Sequence, residues 1–161
     1  MADVYFLIEY PIYREFETED IDILSNICEE VKLKKGEIIF KEGAPGDALF
    51  IIKKGVVKIY KETRTRKKLI TILSEGEFFG EMALIDGSPR SATVVADDDI
   101  ELIKLSLENF NKLKNEYPKT ALKVFGALLK FMSYRIRRTT KKAAQLLRGR
   151  KIKKTKNGGK K

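Results

Sequence analysis

The chain has 161 residues, 43% hydrophobic and 35% charged, which suits one domain with an appendage. It contains no histidine, which removes Ser-His-Asp and Cys-His catalysis and the His-based zinc and iron sites. The net charge of +10 is uneven: residues 117–161 hold 16 Lys/Arg and no acid, leaving 17 basic against 23 acidic residues, a net −6, in residues 1–116. An acidic body therefore carries a basic C-terminal arm, a split that points to an anionic partner for the arm or to contact between arm and body.

The first residues, MADVYFLIEYPIY, are apolar but short and interrupted by Pro11. They have no basic n-region and no small-residue cleavage site, and no run approaches the ~18 apolar residues of a membrane span. The expectation is a cytoplasmic chain. Residues 18–30 read as a helix, with Thr18 as N-cap, Glu19 and Asp20 at the positive end of the dipole, and Ile21, Leu24 and Ile27 on one face. Cys28, the single cysteine, falls on that helix and reads as a packing residue.

From Gly36 to Leu105 the texture is that of short strands. Runs at 37–42, 48–54, 56–62, 67–74, 92–97 and 99–105 are rich in β-branched and aromatic residues, and Gly36, Gly43, Gly46, Gly55 and Gly76 fall at the breaks. This spacing predicts an all-β sandwich or barrel.

Helical periodicity returns after Leu105. Ser106 caps a helix carrying Leu107, Phe110 and Leu113, and Pro118 opens a long one through Leu147. Leu122, Phe125, Leu129, Met132, Ile136, Thr139, Ala143 and Leu146 step by 3 and 4, the seam of a heptad repeat. A second stripe, Ala121, Val124, Leu128 and Phe131, occupies only the first half. The pattern predicts a helix that packs on the β-domain and then projects, its seam pairing with a second copy as a homodimer. The alternative is a helix packed on its own domain alone. Arg135 and Lys142 flank the seam with no acid to pair them, which marks any such dimer as marginal. Residues 148–161, with 8 basic residues and Gly158-Gly159, read as a disordered tail.

The chemistry concentrates in residues 78–93. Gly76 and Gly80 allow close backbone approach to a ligand, and Glu81-Met82-Ala83-Leu84-Ile85 forms one helical turn after a glycine, whose free N–H groups suit an anion. Arg90 follows Gly87-Ser88-Pro89, placed to fold back on the same anion with two parallel hydrogen bonds. Glu81 beside an anion site suits a neutral hydroxyl, such as that of a ribose. Glu81 capping its own turn and Arg90 in a surface ion pair are the structural alternatives.

Phe79-Gly80-Glu81-Met82-Ala83-Leu84 and Pro89-Arg90-Ser91-Ala92-Thr93 resemble, without gaps, the phosphate-binding cassette of the cyclic-nucleotide-binding domain family. The segments from Gly36 to Asp47 and from Leu49 to Ile59 resemble the family's first strands, so the likeness spans residues 5–147.

The resemblance implies a mainly β fold with flanking helices: a jelly-roll-like β-roll (double-stranded β-helix), N-terminal helices and a long C-terminal helix 118–147. It implies a non-enzymatic sensor that binds cAMP, with cGMP as the alternative, and moves that helix toward an unidentified effector protein. It has Glu81 accept from the ribose 2′-hydroxyl and Arg90 hold the exocyclic phosphate oxygens. The backbone N–H groups of Gly80 and Ala92 and the Ser91 hydroxyl complete the cradle, within a binding set that also takes in Phe79, Met82 and Ala83. Ile59 and Ile70 would support the base, Thr71 would add a polar contact, and Thr139 and Thr140 would reach the base from the long helix, one from each subunit. No catalytic residue, metal or cofactor is expected. The rival reading places the function in the arm 148–161, binding nucleic acid or an anionic membrane surface with the β-roll as scaffold.

Overall fold

The computed structural model describes residues 1–157. Two short 3-10 turns, Tyr5–Glu9 and Pro11–Tyr13, precede α1 (Thr18–Ile27) and β1 (Glu29–Leu33). Then come β2 (Ile38–Phe40), β3 (Ala48–Lys54), β4 (Val57–Glu62), β5 (Lys67–Leu73), β6 (Phe78–Phe79) and α2 (Glu81–Asp86). Strands β7 (Thr93–Ala96) and β8 (Ile100–Ser106) lead to α3 (Leu107–Glu116) and α4 (Pro118–Asn157).

Two four-stranded antiparallel sheets, ordered β1-β8-β3-β6 and β2-β7-β4-β5, face each other. Side chains alternate across a strand, and β3 uses both of its faces. Ala48, Phe50 and Ile52 pack between the sheets with Val57, Leu73, Phe79, Val94 and Leu102. Leu49 and Ile51 point the other way, toward a helical layer containing Leu7, Ile21, Phe110, Val124 and Phe131. One strand thus joins the β-roll to the helices. This is the mainly β fold with flanking helices that the sequence predicts.

Local details differ from the expectation. The N-cap of α1 is Glu17 and not Thr18, because Asp20 Oδ2 accepts from the Glu17 backbone N–H at 2.8 Å and closes a capping box. The helix ends at Ile27, not residue 30: Glu29–Leu33 pair with β8, setting Glu29 against Lys104 and Lys32 against Glu101. Long-range pairing outweighs the local helical pattern there. Cys28 sits at the junction, buried, and desolvation pushes its thiol up to about 12. Ser106 caps α3 as expected, its Oγ accepting from the Asn109 N–H at 3.1 Å. Pro118 opens α4.

The long helix runs to Asn157, ten residues past the expected end at 147. Lys and Arg are good helix formers, and the first Gly-Gly pair comes only at 158–159. The residues of the expected tail from 158 lie outside the described ones. The two stripes of α4 separate except at Phe125 and Met132, which are half-buried, Phe125 packing on Phe110. Ala121, Val124, Leu128 and Phe131 are buried, whereas seam residues Leu122, Leu129, Ile136 and Leu146 are 73%, 66%, 62% and 70% exposed. No helix among the described residues is long and apolar enough to cross a membrane, and no group of three His, Cys, Asp or Glu is placed to hold a metal.

Candidate functional site

The segment after β6 turns sharply at Gly80. Its φ of +81° belongs to the left-handed region, which glycine adopts without steric cost. A Cβ there would also stand 2.6 Å from Arg90 Nη1 and 3.1 Å from the Ala48 carbonyl. Glycine is required both by the turn and by the close approach of Arg90.

Helix α2 then places Glu81 inward at 4% exposure. Arg90 arrives from the other limb of the loop. Its backbone is fixed by two bonds to the preceding turn, Arg90 N–H to Ala44 O and Gly43 N–H to Arg90 O, both 2.8 Å. Its side chain is 2% exposed. Nη1 donates to Gly80 O at 2.9 Å, Nη2 meets Asp47 Oδ1 at 3.3 Å, and the guanidinium lies 4.1 Å over the Phe40 ring. The Asp47 carboxylate reaches Arg90 from the segment just before β3.

Glu81 has a partner that the sequence reading missed. Arg135 Nη1 on α4 donates to Glu81 Oε1 at 3.0 Å, and Nη2 donates to the Phe78 carbonyl. Arg135 also lies 4.4 Å over Phe131. The expectation that Arg135 has no acid to pair it is therefore corrected. The one usable signal was its position one turn before Thr139, on the same side of the helix.

Burial lowers Arg90 from the ordinary arginine value, with Asp47 and Glu81 opposing that, and burial lowers Arg135 against Glu81 and Glu77. Both remain charged, because guanidinium stays protonated in proteins. Among the described residues, the only buried side-chain polar atoms without a hydrogen-bond partner are Nε of Arg90 and Nε of Arg135. Leaving a charged donor buried and unpaired is costly. Both side chains line one pocket of about 70 Å³, together with Phe40, Ile59, Phe79, Gly80, Glu81, Met82, Pro89, Ser91, Ala92 and Val94. Two cationic forks with a spare donor each, beside a buried carboxylate, suit an anion that also carries a hydroxyl.

The predicted residues divide between two places. Phe79, Gly80, Glu81, Met82, Arg90, Ser91, Ala92 and Ile59 meet in this pocket, and Ala83 follows on α2. The Ser91 hydroxyl stands 3.9 Å from Met82 Sδ, and Lys61 Nζ holds the Ser91 carbonyl at 2.9 Å. Ile70, Thr71 and Thr139 line a neighbouring cleft of about 170 Å³ with Leu73, Glu77, Tyr134, Arg138 and Lys142. Arg135 borders both spaces. Ile70 is 52% exposed and so is not core. Thr139 Oγ1 donates to the Arg135 carbonyl at 2.9 Å, while Thr140 is exposed and lines neither space. Phe131 is core, packed 4.3 Å from Phe78.

Residues 30–117 match the family model of the cyclic nucleotide-binding domain. The chain belongs to that family. It is similar to the cyclic AMP receptor protein of Thermus thermophilus, 30% identical over 112 residues that cover 69% of this chain and 52% of the receptor. It is also similar to a cGMP-dependent protein kinase of Drosophila melanogaster, 33% identical over 112 residues, 67% of this chain and 12% of the kinase. The chain thus spans about half or less of the length of these curated relatives. Among solved structures, a cyclic nucleotide-binding domain from Methylobacillus flagellatus superposes with a TM-score of 0.78 at 28% identity, covering 85% of this chain and 78% of that one.

Proposed function

We propose that the chain is a sensor, not an enzyme, which binds a cyclic mononucleotide in the Glu81–Arg90 pocket. The observation that carries this reading is the pair of orphaned Nε atoms of Arg90 and Arg135 beside the buried carboxylate of Glu81. Arg90 takes the exocyclic phosphate oxygens, and Ser91 with the Gly80 and Ala92 N–H groups completes the cradle. Glu81 accepts from the ribose 2′-hydroxyl. The base extends toward Ile59 and the cleft of Ile70, Thr71 and Thr139, with Thr140 available to a second copy. We assign cAMP as the ligand, with cGMP as the alternative; the similar proteins include a receptor named for one and a kinase named for the other.

Arg135 supplies the coupling. Arg135 bonds the carboxylate that the ribose needs, and it belongs to α4. A hydroxyl arriving at Glu81 changes the hold of Arg135 and so shifts the balance between helix arrangements. The exposed seam Leu122, Leu129, Ile136 and Leu146 is where a second copy would pair, and an effector protein would read the helix movement. Titration calorimetry with cAMP and cGMP on ligand-free protein tests the reading. Binding of one in the micromolar range or tighter is expected, with loss in Arg90→Ala at unchanged fold. Undiminished affinity in that variant overturns it.

A further inference from the structure

The buried stripe of α4 ends before Ile136, although Arg138, Thr139 and Lys142 still border the cleft of Ile70 and Thr71. Every residue from Ile136 to Leu147 is exposed, and the helix continues to Asn157. Residues 137–157 carry ten Lys/Arg and no acid, on a helix about 31 Å long. Arg137 with Lys141, and Arg138 with Lys142, are like-charge neighbours at i, i+4, which destabilise a helix left alone in water. These four lie on the side of α4 opposite Ile136, Ala143 and Leu147. A second copy on the apolar seam would therefore leave Arg137 and Lys141 open, with Arg138 and Lys142 bordering the cleft of Ile70 and Thr71.

A helical segment with ten cations and no acid in its sequence calls for a polyanion. Duplex nucleic acid offers about one negative charge per 1.7 Å of axis, and lysine and arginine along a helix are its usual electrostatic footprint. An interfacial membrane helix needs a continuous apolar face. Residues 148–157 contain one apolar side chain type, at Ile152, and residues 135–157 contain no aromatic. The net −6 of residues 1–116 keeps a polyanion away from the body and confines it to the arm. We propose that α4 from Arg137 onward binds the phosphate backbone of duplex nucleic acid without reading its sequence.

The test is fluorescence anisotropy of the full chain with labelled duplexes of two unrelated sequences, between about 50 and 200 mM salt. Equal binding of both duplexes is expected, falling steeply as salt rises. Replacing Arg148, Arg150, Lys151, Lys153, Lys154 and Lys156 by Gln is expected to weaken binding at least about ten-fold. The slope of log affinity against log salt should become shallower by up to about 5. The same variant keeps its calorimetric affinity for cyclic nucleotide, and Arg90→Ala keeps duplex binding, so this proposal and the pocket reading fail separately. No duplex binding at low salt, an unchanged slope in the Gln variant, or binding only to vesicles of phosphatidylserine and phosphatidylcholine overturns it.

Discussion

Arg135 Nη1 lies 3.0 Å from Glu81 Oε1, joining residues 54 positions apart. The contact ties the last anchored turn of α4 to the carboxylate assigned to the ribose. Their side chains are 28% and 5% exposed, so the pair is largely withdrawn from water. A hydrogen bond to a charged acceptor contributes about 1.5–3 kcal/mol, and one to a neutral acceptor about 0.5–1.5.

The ratio of affinities for cAMP and its 2′-deoxy analogue isolates that hydroxyl. In Glu81→Gln the acceptor becomes neutral, and the ratio is expected to fall by roughly ten-fold. In Arg135→Ala the carboxylate loses its competing partner, and the ratio is expected to rise. Calorimetry with both ligands on both variants measures it. A change in the same direction in the two variants rejects competition at Glu81.

Gly80→Ala tests the turn. The left-handed conformation and the 2.6 Å approach to Arg90 Nη1 both act against a Cβ. A non-glycine residue held in such a conformation costs about 1–3 kcal/mol. Chemical denaturation should show a loss of that size, and ligand affinity should fall further because Arg90 is displaced. An alanine variant that binds as the parent does would show that the guanidinium position is not critical.

Lys61 is a positioning residue for the cradle. Its Nζ bonds the Ser91 carbonyl at 2.9 Å and pairs with Glu42 at 2.6 Å. The side chain is half exposed, so the ion pair itself contributes little to stability. Lys61→Met is expected to leave the melting temperature nearly unchanged while weakening ligand binding several-fold, with Lys61→Arg restoring most of it. Equal losses in melting temperature and affinity would make Lys61 merely structural.

The cassette was legible because its parts are contiguous. Glycine, carboxylate and arginine sit within residues 80–90, where local spacing carries the geometry. Strands β3 and β8 were legible too, since short runs rich in apolar and β-branched residues mark buried strands. Strand β1, with the sequence EEVKL, has only Val31 and Leu33 to mark it and exists through its pairing with β8. Strand β6 is two residues long and leaves no period to detect. The roles of Arg135 and Asp47 depend on partners 54 and 43 positions away, and nothing beside either residue announces them.

The root of α4 offers a pH test. Asp20 is 4% exposed, with Thr120 Oγ1 and Lys123 Nζ each 2.6 Å from its carboxylate. Burial pulls its acidity toward the neutral form, but the hydrogen bonds from Lys123, Thr120 and the Glu17 backbone outweigh it and hold the carboxyl below its ordinary value. A carboxyl depressed in the folded state stabilises fully above its unfolded value near pH ~3.9, and that contribution is lost as pH falls through the folded value. Asp20→Asn should therefore destabilise the protein at neutral pH by about 1–3 kcal/mol. The gap to the parent should narrow as pH drops below about 4. Urea unfolding of both proteins at several pH values measures the gap. A gap independent of pH would mean that Asp20 acts through shape and hydrogen bonding alone, and that its charge does not fasten α1 to α4.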